Sequence, residues 1–214
     1  EYPDPSNTEL FNSPADWISP SVVAIDGSFY TVNPRASSGD KVMILDTDHL
    51  GLIATVTWAF KAFTRGHNTA FMDPKYGEVL DKWPDKPEYE AFRNALGYTR
   101  SYAERMDLAA MIPQDGGTSP SSTGYCLYNS GKEYFVYQPG TGAFTVSLPA
   151  ETYGFEWFNP DTGVKVSSGT ITWGGGNRTF TPPFSGDAAL WLGPLPHAGI
   201  TVYVKADKAV PLLV

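Results

Sequence analysis

An unbroken apolar run, Val42 to Leu45, is the feature that most restricts the fold of this sequence, and it ends abruptly in Asp46-Thr47-Asp48-His49. Apolar runs of strand length are typical of strands covered on both faces, as in a parallel sheet. In open and barrel-shaped α/β proteins the chemistry lies where such strands end. The stretch therefore predicts a buried parallel strand that carries two carboxylates and an imidazole to the edge of its sheet.

The two carboxylates of this stretch have two interpretations. In a continued strand, Asp46 and Asp48 project from one face about 7 Å apart, while Thr47 and His49 face the other way. Two like charges this close raise the pKa of one carboxyl group, which suits paired acid and base chemistry. Asp-Thr-Asp after a strand is also common in turns and helix caps. The sequence leaves both roles open, a catalytic or ligand-binding pair and a set of capping residues.

The segment after the apolar run has the sequence pattern of a βαβ unit. Residues 55–64 carry apolar side chains at helical spacing, and the pattern ends at Arg65-Gly66. Residues 68–72 predict a second short strand, which leads into Asp73 just as the first leads into Asp46. Strand, helix and strand in this order form a right-handed crossover by default. A long apolar stripe then predicts a helix from about Glu88 to Leu108 that packs on a sheet.

Composition divides the rest of the chain into further segments. Residues 1–40 are rich in proline without a helical period, which predicts an extended segment with at most short strands, and 114–123 have the composition of a linker. Residues 41–113 then form the βαβα unit, and 124–214 predict an antiparallel β-sandwich. Its strand candidates are 125–129, 133–138, 144–148, 153–159, 164–171, 177–181, 188–192 and 200–205. The turn signals between them include 160–163 and the glycine triplet 174–176.

Charge and cysteine content narrow the classes of partner. The formal net charge is −8, with no basic cluster, which argues against nucleic acid and anionic membranes. Cys126 is the only cysteine, so an intrachain disulfide and a cysteine-based zinc site are excluded. Two aspartates without a third assigned ligand are a weak calcium signal, and we predict no metal or cofactor. The chain opens at Glu1 without an initiator methionine, as a processed piece would, and we expect an extracellular, secreted protein.

Nine short motifs follow one another in a definite order between residues 15 and 193. They are 15–20 (ADWISP), 46–50 (DTDHL), 71–74 (FMDP), 96–100 (LGYTR), 102–103 (YA), 108–111 (LAAM), 122–125 (STGY), 156–160 (EWFNP) and 184–187 (FSGD). In this order they resemble the carboxyl-terminal part of large bacterial glycoside-hydrolase-like proteins of the apiosidase group. That family combines a (β/α)8 barrel with a β-sandwich that carries a collagen-binding label.

The resemblance implies an α+β chain, in which a remnant of the barrel, its last two β/α units, precedes an antiparallel β-sandwich. By this likeness, Asp46 ends the seventh barrel strand, Asp73 ends the eighth, and the first six strands have no counterpart. The nucleophile of retaining barrel glycosidases then maps onto Asp46 or Asp48, with His49 and Asp73 shaping the site. The general acid/base of the family has no counterpart in this sequence. Family members usually have tryptophan after His-Leu, where this sequence has Gly51-Leu52.

The physical requirements of glycoside hydrolysis also indicate an incomplete active site. The reaction needs carboxyl groups on both sides of the scissile bond, about 5 to 9.5 Å apart, and two neighbours on one strand approach from one side only. We therefore do not expect a complete active site on this chain alone. A βαβ remnant also has open edges and apolar faces that must be covered. The N-terminal 40 residues, the sandwich and another chain, including a second copy in a homo-oligomer, are the candidates.

Three classes of function remain. The first is a glycoside hydrolase or a part of one, with the carboxylates described above. The second is a binding module that presents Trp157, Trp173 or Trp191 to a carbohydrate or to a matrix polymer such as collagen, although most aromatic residues of a β-rich protein lie in its core. The third is a structural subunit that assembles through the orphaned barrel edge into an oligomer or fibre. The sequence favours a carbohydrate-associated extracellular protein.

Overall fold

The computed structural model describes residues 6–21, 29–47, 55–72 and 87–194, which form a mixed α/β molecule with one parallel and one antiparallel sheet. Its helices are α1 (Ser6–Asn12), α2 (Val56–Thr64), α3 (Pro87–Ala103) and a 3-10 helix (Leu108–Ala110). Its strands are β1 (Trp17–Ile18), β2 (Val42–Asp46), β3 (Asn68–Ala70), β4 (Ile112–Pro113), β5 (Cys126–Asn129), β6 (Glu133–Gln138), β7 (Phe144–Asn159), β8 (Val164–Phe180) and β9 (Ala188–Gly193).

The parallel sheet has three strands in the order β1-β2-β3. The predicted strand at Val42–Leu45 is confirmed as β2, the central strand, and the strand predicted from residue 68 is confirmed as β3. The first segment is not simply extended, because it contains α1 and contributes β1 to this sheet. The chain therefore has one more parallel strand than the two β/α units that we predicted.

Only one face of the parallel sheet is covered within the described part of the chain. Met43 and Leu45 point towards the helices and are buried, whereas Val42, on the opposite face, is 52% exposed. The prediction that the apolar run is covered on both faces is wrong, because α2 and α3 both lie on the side of Met43 and Leu45. No described element buries the other side of Val42.

Helix α2 begins and ends as its sequence predicts. The Thr55 side chain accepts a hydrogen bond from the backbone N–H of Trp58 at 3.1 Å, which caps the amino end. At the carboxyl end, Gly66 adopts a positive φ of 76°, and its N–H donates to the Phe63 carbonyl at 3.0 Å. A Cβ atom at Gly66 would lie 3.2 Å from the Pro113 side chain, so this tight turn also needs glycine for space.

Helix α3 ends at Ala103, five residues before the predicted end at Leu108. The N–H groups of Arg105 and Met106 both donate to the Tyr102 carbonyl, so the last turn tightens and the chain leaves the helix axis. The apolar stripe still continues beyond this point, because Met106 is buried. The pattern predicted which residues are buried but overestimated the length of the helix.

The antiparallel sheet has six strands in the order β4-β5-β6-β9-β7-β8. The candidates 144–148 and 153–159 are one strand, β7, and 164–171 and 177–181 are one strand, β8. The hairpin turn predicted at 160–163 is confirmed, since it joins β7 to β8. The candidate 200–205 lies outside the described residues.

The glycine triplet 174–176 is not the predicted hairpin turn but lies within β8, where the long hairpin bends. Gly175 and Gly176 have φ values of 99° and 87°, which side chains other than glycine rarely adopt. They lie beside Pro149 of β7, which has no N–H to donate. In a straight strand Phe144 and Trp157 would stand about 43 Å apart. Their ring centroids lie 5.9 Å apart, so the hairpin folds back over its own sheet.

Two apolar clusters hold the described residues together. The first lies between the parallel sheet, α2, α3 and one face of the antiparallel sheet, and Phe60 of α2 is its centre, with ring contacts to Phe135, Tyr137 and Phe158. The second lies on the other face of the antiparallel sheet, under the folded-back hairpin. The helices are therefore enclosed between two sheets.

Candidate functional site

Asp46 lies where the parallel sheet ends, as the last residue of the central strand. Its backbone is in register with Ala70 of β3, and its side chain is half-buried on the face that the helices leave uncovered. The next residue, Thr47, is buried, and its Oγ1 accepts a hydrogen bond from the Met72 N–H at 3.0 Å. This bond ties the carboxyl ends of β2 and β3 together, so Asp46 stands on a fixed edge.

The other residues of the predicted carboxylate site, Asp48, His49 and Asp73, lie outside the described residues. Their proximity to Asp46 stays a prediction, and so does the choice between paired carboxylates and capping residues.

A second anchor at the same edge was not predicted from the sequence. Asn7 of α1 is buried, and its Oδ1 accepts a hydrogen bond from the Ser21 N–H at 2.9 Å, just beyond the end of β1. The bond joins residues 14 positions apart in a segment without helical periodicity, so no local pattern signals it. It holds the N-terminal segment close to the carboxyl edge of the sheet.

A cavity lies at the other end of the parallel sheet, near the amino end of β3. It has a volume of about 620 Å³ and is lined mainly by apolar residues of α2, α3 and the 3-10 helix, with His67 and Asn68 among the polar ones. His67 is buried, and its Nε2 lies 2.5 Å from the Arg35 carbonyl oxygen. Burial lowers the pKa of His67 to about 4, so the imidazole is neutral at pH 7 and Nε2 carries its proton.

Glu156 is the most heavily bonded carboxylate of the described residues, and its role is structural. Its oxygens accept hydrogen bonds from Tyr102 at 2.7 Å, Arg105 at 2.5 Å and Lys165 at 2.5 Å. Burial by itself raises the pKa of Glu156, but the bonds from Arg105, Lys165 and Tyr102 outweigh it and lower that pKa. With its acceptors engaged, the carboxylate joins the end of α3 to β7 and β8.

A third acidic residue, Asp187, links α2 to the antiparallel sheet. Its carboxylate accepts hydrogen bonds from the Thr57 hydroxyl at 2.7 Å, from the Gly140 N–H at 2.6 Å and from the Tyr137 hydroxyl. Sequence reasoning found Asp187 only as part of a motif, because its partners lie 47 to 130 positions away.

The three tryptophans predicted to bind a ligand all make contacts within the protein. Trp157 is 6% exposed and packs in the core under the folded hairpin. Trp173 is half-buried, donates to the Gly176 carbonyl at 3.0 Å and lies under Arg178. Trp191 is half-buried too, and its indole N–H donates to a Glu133 carboxylate oxygen at 2.8 Å. These contacts agree with the alternative interpretation, that the rings belong to the core and to its margins.

Two further findings concern metals and membranes. In the part of the chain that the structure describes, no group of three or more His, Cys, Asp and Glu side chains could hold a metal ion. A search of the same residues finds no helix that is both long and apolar enough to cross a bilayer.

Comparison with known proteins gives a fold and no family. No family model and no curated protein matches the sequence. Among solved structures, a glycoside hydrolase family 5 protein from Bacteroides vulgatus is similar over 75% of this chain and 43% of its own, with a TM-score of 0.50 and 11% identity. The fold is glycoside-hydrolase-like.

Two other solved structures are similar to a lesser degree. A protein described as a glycoside hydrolase covers 88% of this chain at 13% identity, with a TM-score of 0.45. A Paenibacillus polymyxa xyloglucanase from family 44 covers 73% at 12% identity, with a TM-score of 0.38. The chain spans 55%, 43% and 33% of the lengths of the three proteins, about half or less in each case.

Proposed function

We propose that this is a carbohydrate-associated, extracellular protein, in which the carboxyl edge of the parallel sheet forms one side of a cleft for a neutral glycan. The observation that carries the proposal is the place of Asp46, at the carboxyl end of the central parallel strand in a glycoside-hydrolase-like fold. In barrel enzymes the residues that act on substrate stand at these strand ends. A neutral glycan fits better than an acidic one, because the net charge of −8 would repel an anion.

In this proposal, β1, β2 and β3 with α2 and α3 are the last strands and helices of a (β/α)8 barrel of the apiosidase-like type. The antiparallel sheet and its folded-back hairpin are the appended β-sandwich. The order β1-β2-β3 supports this, because neighbouring strands of such a barrel follow the order of the chain. The contact of α2 and α3 with the antiparallel sheet fits a sandwich that packs on the outer helices.

The chemical role that we assign to Asp46 is that of a carboxylate beside the anomeric carbon. Such a carboxylate stabilises the oxocarbenium-like transition state or attacks it as a nucleophile, and a second carboxyl group protonates the leaving oxygen from the other side. Asp46 and Asp48 are two positions apart in the sequence, so in this proposal they serve one side. We therefore propose that this chain contributes half of an active site and does not hydrolyse glycosides alone.

A binding function for the antiparallel sheet is the weaker candidate. It would require aromatic rings free to stack on sugars, and the rings of Trp157, Trp173 and Trp191 are engaged within the protein. Binding of collagen by this sheet has the same difficulty, so we place the carbohydrate contact at the parallel sheet.

The test is glycan binding by the full chain and by two matched variants. Asp46→Asn removes the carboxylate at the carboxyl edge, and Asp40→Asn makes the same change at an exposed position before the amino end of β2. Saturation-transfer NMR with a panel of neutral oligosaccharides should detect binding to the wild type, at least tenfold weaker binding to Asp46→Asn, and no change for Asp40→Asn.

Aryl glycosides assayed with the same proteins should show no turnover. Equal glycan binding by Asp46→Asn and the wild type would contradict the placement of the cleft. Hydrolysis by the chain alone that Asp46→Asn abolishes would show a complete site and would contradict the half-site.

A further inference from the structure

The cavity beside His67, which we call the His67 cavity, has the size and the wall of a small-molecule site. Apolar side chains form most of the wall, among them Phe63 of α2, Leu96 of α3 and Leu127 of β5. Its volume of about 620 Å³ lies within the range of sites that bind small organic molecules. Asp46 is not among the described residues that line it, so this cavity is separate from the proposed glycan cleft.

Most polar side chains of the wall already have partners. The Thr99 hydroxyl donates to a backbone carbonyl within α3 at 3.0 Å, and the Asn68 amide donates to the Met43 carbonyl at 3.3 Å. Arg100 is the only charged side chain among the described lining residues, and it is paired with Glu104 at 2.7 Å. The wall therefore favours a neutral ligand over an ion.

The imidazole of His67 is the exception among these polar groups. His67 is 5% exposed, and in the part of the chain that the structure describes its Nδ1 has no hydrogen-bond partner. Because Nε2 donates its proton to the Arg35 carbonyl, Nδ1 carries a free lone pair and can only accept. A buried acceptor without a partner is unfavourable. The Tyr30 ring packs edge-on against the imidazole, which holds this acceptor in a fixed orientation.

We propose that the His67 cavity binds a small neutral molecule with an apolar ring and one hydroxyl group, such as a phenol, whose O–H donates to Nδ1 of His67. The apolar wall holds the ring, and Phe63 offers it an aromatic contact. The unpartnered acceptor selects the hydroxyl group. Because Nδ1 is itself buried, a small terminal donor such as a hydroxyl reaches it more readily than a bulky one.

Two matched probes test the role of the hydroxyl group in the full chain. 4-Methylphenol has the ring and the donor, and 4-fluorotoluene has nearly the same shape without a donor. 4-Methylphenol should bind about tenfold more tightly, because it alone satisfies the buried acceptor. In protein with ¹⁵N-labelled histidine, it should also shift the Nδ1 resonance of His67 upfield, and 4-fluorotoluene should not.

Four variants locate the site, and circular dichroism verifies that each is folded. His67→Phe keeps a ring but removes the acceptor, so it should weaken 4-methylphenol about tenfold and leave 4-fluorotoluene within about twofold. Leu96→Trp narrows the cavity and should weaken both probes. Val164→Trp, at an exposed position on β8, is its matched control and should leave both unchanged. Asp46→Asn should also bind both probes as the wild type does, so this test and the glycan test fail independently.

Three results would overturn the proposal. Absence of saturable binding of both probes to the wild type means that the cavity takes no ligand in solution. Equal affinity of the two probes, with an unchanged His67 resonance, means that Nδ1 does not select a hydroxyl group. Equal binding by Leu96→Trp and the wild type means that the probes bind elsewhere.

Discussion

The two sheets of this protein differ in how much of their surface the described part of the chain covers. The antiparallel sheet is packed on both faces, against α2 and α3 on one side and under the folded β7–β8 hairpin on the other. The parallel sheet is packed on one face only and carries Asp46 at its uncovered rim. The comparison indicates that stability comes from the layers around the helices, whereas the face of the parallel sheet that carries Val42 is packed less tightly.

The largest expected effect lies between the sheets. Phe60→Ala should lower the free energy of unfolding by about 4 kcal/mol, because a buried phenylalanine is replaced by a cavity. Phe60 has no exposed surface and contacts rings of three different residues of the antiparallel sheet. Phe29→Ala, at a side chain that is 52% exposed, should change it by less than about 0.5 kcal/mol. Urea unfolding gives both values, and equal losses would contradict the proposed distribution of stability.

Stability should also fall in mild acid because of His67. Its pKa is about 4 in the folded protein, against an ordinary value of 6.5 in the unfolded chain, so the unfolded chain binds more protons between these values. The free energy of unfolding should therefore decrease as the pH falls from 6.5 to 4, by about 3 kcal/mol in all. His67→Gln should lack this decrease. Urea titrations of both proteins across this range measure the difference, and parallel pH curves would contradict a buried neutral His67.

A smaller effect is expected where the end of α3 meets the antiparallel sheet. Glu156→Gln keeps the shape of the side chain but removes the negative charge that pairs with Arg105 and Lys165. It should lower the free energy of unfolding by about 2 kcal/mol. The loss is moderate because both cations are partly exposed to solvent. The control is Glu104→Gln, which removes an exposed glutamate paired with Arg100. Its effect on the thermal midpoint should be close to zero. If Glu104→Gln lowered the thermal midpoint as much as Glu156→Gln does, burial of the Glu156 carboxylate would be unimportant for stability.

The smallest effect should come from the exposed face of the parallel sheet, the one that carries Val42. Val42→Thr should change the free energy of unfolding by less than about 0.5 kcal/mol, because the side chain is half in solvent. At the next residue on the covered face, Met43→Thr should cost about 2 kcal/mol, since it buries a hydroxyl group and leaves a cavity. Chemical denaturation of this pair measures the asymmetry of one strand. Similar losses at both positions would mean that the face carrying Val42 is as well packed as the face carrying Met43.

Predictions from the sequence succeeded where the signal is local. The apolar run of β2, the cap and spacing of α2 and the turn between β7 and β8 each depend on residues within one element. Predictions failed where distant residues decide the outcome. At the end of α3, Tyr102 and Arg105 bond to Glu156, 54 and 51 positions away. The glycine triplet 174–176 is a bend, where the hairpin packs on its own sheet.

The candidate site also combines features that the sequence predicted with features that it could not show. The sequence predicted that Asp46 ends a parallel strand, because an apolar run followed by polar residues is a local pattern. It could not show that Asn7 anchors the same edge, or that three tryptophans are engaged internally, because those contacts join residues far apart or on different strands.

The amino-acid sequence alone determined that this chain has parallel strands followed by antiparallel ones, and that a carboxylate follows the central parallel strand. Only the tertiary structure decided which faces of those strands are covered. Periodicity reports which side chains avoid water, but not which element lies against them, because burial arises from contacts between segments that are distant in the chain. For this reason Val42 and Met43, adjacent in one apolar run, lie on an open and a buried face.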